Sequence, residues 1–302
     1  MQKIQGFKGF DENLKCRDFQ YEIGKEYKMK EKPVICDTGF HFCRYPLDMF
    51  RYYEPVNGNR FCEIEATGDV VHDEDDTKSC TNKIKICAEL NFKKITDASI
   101  NFIYEHIKKD NKKSAHKEKD RSVASNTGYN SVASNTGYSS VASNTGYSSV
   151  ASNTGDRSVA SNTGYSSVAS NTGYSSVASN TGYRSVASNT GDRSVASNTG
   201  DRSVASNTGY SSVASNTGYR SVASNTGEFG IAASLGINGQ AKGGLGTWLV
   251  LAEWEDTKGH GFYMDYVVKT VKTVRVDGKK VKADTLYQLI NGKIIEIKGA
   301  TK

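Results

Sequence analysis

Residues 131–157 read SVASNTGYSSVASNTGYSSVASNTGDR, one nonapeptide three times over without a slip. The register runs well beyond this stretch: Val123, Val132, Val141, Val150, Val159, Val168, Val177, Val186, Val195, Val204, Val213 and Val222 follow one another at intervals of nine. An α-helix with its 3.6-residue turn does not hold such a motif on one face, and Asn-Thr-Gly in every unit would break it. Short strand plus tight turn remains, with Ser-Val-Ala as the strand, Val pointing inward, and Gly, with Asn, taking positive φ in the turn. A single nonapeptide is too short to close around a core. Two repeats per coil are therefore expected, giving two facing strands and about six coils that span on the order of 29 Å at the usual strand spacing.

The residue pair that varies between repeats supports this coil size. Every second pair reads Asp120-Arg121, Tyr138-Ser139, Asp156-Arg157, Tyr174-Ser175, Asp192-Arg193 and Tyr210-Ser211, a strict alternation that keeps Asp from stacking on Asp. The other column carries Tyr129, Tyr147, Tyr165, Tyr183, Asp201 and Tyr219, a nearly continuous tyrosine ladder and the candidate binding face. Calcium-binding nonapeptide rolls need an aspartate in each turn, where this array has Asn-Thr-Gly. Asp and Arg nearly balance, which argues against an acidic mimic of DNA. One isolated Thr per repeat is a weak basis for an ice-facing row.

Composition divides the chain into parts. All six cysteines (Cys16, Cys36, Cys43, Cys62, Cys80, Cys87) and all three prolines precede residue 90, while Ser, Val, Ala, Asn, Thr, Gly and Tyr dominate from about Asp120 to Glu228. The boundaries read as an α+β head over 1–110, a basic linker over 111–119, the nonapeptide β-solenoid over 120–247 and a β-rich cap over 248–302, for a mainly β fold. The start, MQKIQGFKGF, has no apolar run of signal-peptide length and no window suits a membrane span, so a cytoplasmic protein with free, mostly buried thiols and no membrane partner is expected. The net charge of +6 gathers in lysines near 108–119 and 279–282. Arg is scarce there and no aromatic residues interleave for base stacking, so nucleic acid is an unlikely partner.

In the head, PLDMFRYY (Pro46 to Tyr53) reads as a helix opened by proline, RFCEIEATG and IKICAEL as strands, and DASINFIYEHI as a helix capped by Asp97. Cys16, Cys36, His41 and Cys43 are residue types of a zinc site at non-standard spacing, and the alternation in GFHFC explains them as a strand. The acidic run from His72 to Asp76 reads as a solvated loop. Beyond the array, Ile231, Ala232 and Ala241 keep the nine-residue register into GGLGTWLVLAEWE, an apolar strand suited to sealing a solenoid end. Glu253 and Glu255 alternate on that strand as half-buried strand residues do. Hairpin turns are expected at Asp277-Gly278 and Asn291-Gly292.

KGFDENLKCRDFQYEIGKEY, GFHFCRYPLDMFRYY, the S-x-A-S-N-T-G array and AKGGLGTWLVLAEWE with VDGKKVKADTLYQL together resemble an uncharacterised family of Firmicutes and their phages. That resemblance implies a bacterial or phage setting and no catalytic residue. Gly39-Phe40-His41-Phe42 followed by Tyr52-Tyr53 also looks like a segment of ADP-ribosyltransferase-like folds. This second resemblance implies Arg17, His41 and Glu63 or Glu65 as residues acting on NAD, although the usual Ser-Thr-Ser strand of that fold is not evident. The leading expectation is a non-enzymatic structural or binding protein without a cofactor, whose solenoid is a rigid spacer or multivalent surface for self-association or a protein partner.

Overall fold

The computed structural model describes residues 3–73, 77–107, 114–261 and 265–297. The core of the acidic run, 74–76, and most of the first lysine cluster, 108–113, lie outside the described residues. The chain divides into two compact units, one up to Phe102 and one from Ile103 onward.

The first unit is built on strands β1 (Ile4–Phe10), β2 (Lys15–Cys16), β3 (Phe19–Gln20), β4 (Glu26–Lys28), β5 (Phe40–Cys43), β6 (Arg60–Ala66), β7 (Val70–His72), β8 (Lys78–Thr81) and β9 (Lys83–Glu89). Seven of them form one sheet in the order β4-β9-β6-β1-β5-β8-β7, and β2 and β3 pair with each other. One face carries a core of Phe10, Tyr21, Phe40, Phe42, Ile64, Ile84 and Ile86. Pro46–Arg51 is a 3-10 turn rather than an α-helix reaching Tyr53, and it buries Leu47, Met49 and Phe50. The helix α1 (Phe92–Ile107) starts five residues before the expected Asp97. Its cap is Asn91, whose Oδ1 accepts the Lys94 N–H at 2.9 Å; Asn satisfies a first-turn donor as well as Asp does, and Asp97 instead pairs with Lys93 at 2.9 Å. The cysteines are free thiols, with Cys43, Cys62 and Cys80 buried, Cys16 and Cys87 intermediate, and Cys36 exposed.

The second unit is a β-solenoid of about 8 turns across residues 115–251. Each strand pairs in parallel with the strand two repeats on, Val141 with Val159 and Val150 with Val168, so one coil is two nonapeptides. The ladders reach past both ends of the segment read from the repeats. Ser114–Lys117 already pairs with Val132–Asn135, and Trp248–Asp256 continues on Ile231–Ser234. Antiparallel strands close the C-terminal end: Tyr266–Arg275 lies along Trp248–Asp256, and the hairpin Tyr287–Ile290 with Lys293–Glu296 joins the other sheet. Asn291 and Gly292 both have positive φ, as that hairpin turn requires. Glu253 is a structural group here, its carboxylate accepting the Asn291 and Gly292 N–H groups at 3.1 and 2.6 Å.

Two expectations about the coil are corrected. Alanine, not valine, faces inward: Ala124 through Ala214 form one buried column, and strand alternation puts Val on the outer side. Two strands of four residues enclose too thin an interior for a branched side chain in every rung. The outer valines differ by sheet; Val150, Val168 and Val186 are buried, whereas Val159, Val177 and Val195 are half-buried. The interior is otherwise polar. Asn162 Nδ2 donates to Ser149 O and Val168 O, both at 2.9 Å, and its equivalents repeat the pattern along the coil. Ser158 Oγ accepts the Ser140 N–H at 3.1 Å and approaches Gly137 O at 3.3 Å, linking successive coils.

The second correction concerns the turn. Positive φ, near +50°, falls on the second residue of each variable pair, from Arg121 and Asn130 to Ser211 and Arg220, and not on the repeat's Asn or on Gly137 through Gly227. Those glycines are required by proximity: a Cβ on Gly164 would strike the carbonyl of Gly146, and one on Gly182 that of Gly164. Turn backbone groups also pair between coils, as in Ser175 N–H to Asp192 O at 2.9 Å.

Gly182→Ala is therefore expected to lower the unfolding free energy by about 2–3 kcal/mol through overpacking against backbone. Ser175→Gly, at a left-handed position, should raise it by up to about 1 kcal/mol. Denaturant titrations of the two variants check both signs, and a neutral Gly182→Ala would refute the close-approach account.

Candidate functional site

Two places concentrate chemistry, one in each unit. In the solenoid, the turn before one sheet aligns Tyr129, Tyr147, Tyr165 and Tyr183 one coil apart. Their rings stack with centroid separations of 5.0, 4.9 and 5.1 Å and interplanar angles of 3°, 7° and 24°. Offset stacking at this spacing contributes about 0.5–1.5 kcal/mol per pair beyond area burial. Arg184 closes the ladder: its guanidinium lies 4.6 Å from the Tyr183 ring centroid and donates to the Tyr165 hydroxyl at 2.7 Å. Tyr219 stands apart from the other four. Asp201 occupies the intervening rung and accepts the Tyr219 N–H at 2.8 Å, so the ladder has four continuous rungs.

The opposite turn column explains its own alternation. Asp120, Asp156 and Asp192 each accept the backbone N–H of the tyrosine one coil on (Tyr138, Tyr174, Tyr210) at 2.8 Å. The arginines following Asp156 and Asp192 lie over the tyrosine of the coil before, Arg157 on Tyr138 at 5.6 Å and Arg193 on Tyr174 at 5.7 Å. Asp as acceptor, Tyr as donor and Arg as the ring's cover form one repeating device.

In the head, a cavity of about 900 Å³ opens where β1 and β5 part. β1 pairs with β6 along its whole length but meets β5 at one bridge, Phe7 with Cys43. Past that bridge the Lys8 ammonium fills the gap, donating to His41 O at 2.8 Å and lying 5.5 Å from the ring centroids of both Phe10 and Tyr21. Arg17, Lys78, Phe19, Tyr52 and Tyr53 also line the wall. His41 Nε2 accepts the Cys36 N–H at 3.0 Å, which leaves the ring proton on Nδ1. Burial lowers the His41 pKa, and Lys8, Lys78 and Arg17 lower it further. Burial raises the Tyr53 phenol, reinforced by Cys16.

Of the residues implicated by resemblance, Arg17 and His41 line this cavity, together with Cys16, Cys36 and Cys43. Glu63 and Glu65 are not part of its wall; Glu63 is bonded to Gln5 and Glu65 pairs with Lys3 at 3.3 Å. Among the described residues no three His, Cys, Asp or Glu side chains are grouped as metal ligands. Cys36 Sγ is contacted by Lys78 Nζ at 2.9 Å. Lys8 was missed by sequence reasoning, and its signal was a lone cation inside the apolar strand IQGFKGF.

Residues 4–98 match the family model of a domain of unknown function, DUF7666. No curated protein and no solved structure matches the chain.

The lowered His41 pKa has a definite consequence for stability. An unfolded imidazole titrates near about 6.5, so between that pH and the lower folded value only the unfolded chain binds the proton. The contribution is complete above about pH 6.5 and is lost as pH falls toward the folded pKa. Denaturation at about pH 7.5 and about pH 5 should show a smaller acid loss in His41→Gln than in the wild type. An equal loss would assign the effect to other groups such as His72, whose pKa burial also lowers.

Proposed function

We propose that the chain is a non-enzymatic structural or binding protein of a bacterial or phage-infected cytoplasm, its nonapeptide solenoid serving as a rigid spacer and multivalent interaction surface. The β-solenoid fold is consistent with such a role. The observation that carries the reading is the tyrosine ladder, four rings held at a fixed repeat along one edge. Aromatic side chains supply large contact area at low entropic cost, and inter-coil stacking fixes their geometry before any partner arrives. Tyr129 is 58% exposed, so the first ring of the ladder presents surface to solvent. The partner in this reading is a second copy of the chain or another protein, with Tyr147, Tyr165 and Tyr183 as the central contacts and Tyr219 as an outlying one.

Light scattering across a concentration series tests this. The wild-type mass should rise above the 32.9 kDa of one chain, and the triple variant Tyr147→Ser, Tyr165→Ser, Tyr183→Ser should stay at that mass with its β-sheet spectrum retained. Unchanged association in the variant would remove the ladder from the interface. A wild type at one-chain mass throughout would reduce the array to a spacer.

A further inference from the structure

The head cavity is lined by a buried ammonium that has no carboxylate at ion-pair distance among the described residues. Lys8 is 5% exposed, and among the described residues its ammonium contacts a carbonyl, the Cys16 sulfur and two ring faces. Among the described residues no carboxylate lies within ion-pair distance of Lys8, Arg17 or Lys78. Lys78 contacts the Cys36 sulfur and the Tyr52 ring. All three cations line the same cavity as His41. A buried charge is ordinarily paired, because leaving it alone in a low-dielectric site is costly.

The same wall carries open aromatic surface. Phe19 is 45% exposed and Tyr52 48% exposed, and both line the cavity. A volume of about 900 Å³ suits a small organic molecule and is far more than one inorganic ion needs. Lys8, Arg17 and Lys78 all line this wall, positive charge of the sign an organic phosphate requires.

We propose that the head binds an organic phosphate monoester with a planar ring, the phosphate held by Lys8, Arg17 and Lys78 and the ring set against Phe19 and Tyr52. The site lies in the head alone and stands or falls independently of the tyrosine ladder.

Calorimetric titration of the full chain with phenyl phosphate, adenosine monophosphate, inorganic phosphate, benzoate and adenosine tests the proposal. At least one of the two ring-bearing phosphates should bind, and more tightly than inorganic phosphate, benzoate or adenosine. Arg17→Gln and Lys78→Gln, at positions outside the core, should each weaken that binding by about tenfold or more, as loss of a charge-assisted bond does. Unchanged melting temperatures would show that both variants are folded. Absence of binding by both ring-bearing phosphates, equal binding of benzoate, or affinity unchanged in both variants would overturn it.

Discussion

The solenoid depends on a side-chain amide placed where a larger protein would put a hydrocarbon. The coil is too narrow for a deep apolar core, and its buried column is alanine, which contributes little transfer free energy per residue. The inward asparagine compensates by donating both amide hydrogens to backbone carbonyls, one on the facing strand and one on the coil before. Ser149 O also accepts the Val168 N–H at 2.9 Å, so the amide fills the second lone pair of a buried carbonyl and ties three segments at one oxygen. Stability here is carried by a repeated hydrogen-bond lattice, and the lattice in turn fixes the inter-coil approach that excludes every side chain at the repeat's glycine.

That lattice accounts for what the sequence made legible. Spacing of nine, breaking of helix by Asn-Thr-Gly, and alternation of Asp with Tyr at every second turn sufficed for a two-repeat coil with the right columns. The facing of Val and Ala was not legible, because a three-residue strand with Val at its centre reads as Val-in on hydrophobicity alone. The deciding quantity, the width of the coil, is a property of the closed structure. The location of positive φ was hidden for a related reason. Arg121, Ser139 and Ser175 do not advertise a left-handed backbone, and glycine, which usually does, was needed for space instead.

The head shows the opposite limit. Its strands could be read from alternation, but its cavity draws on Lys8, Arg17, His41, Tyr52 and Lys78, which belong to no common motif and meet only because β1 and β5 share a single bridge. Asn91 was passed over as a cap because Asp97 stands nearer the apolar helical pattern. Burial of Ile95 and Thr96 within the segment 92–96 extends the helix upstream.

The pairing of each residue with the one two repeats on also constrains how such an array changes length. Gain or loss of one nonapeptide by recombination moves every later Tyr, Asp and Arg to the opposite edge, and inside the ladder it parts Tyr129 and Tyr147 from Tyr165 and Tyr183. Gain or loss of a pair keeps every residue on its own edge, but in the alternating column it sets Asp on Asp or Tyr on Tyr; only four nonapeptides, two whole coils, leave both edges in phase. Copy number is therefore expected to drift among related genes in steps of two rather than one, and of four where the Asp and Tyr alternation is kept, with single-unit changes tolerated only at the ends, where no further column remains to be displaced.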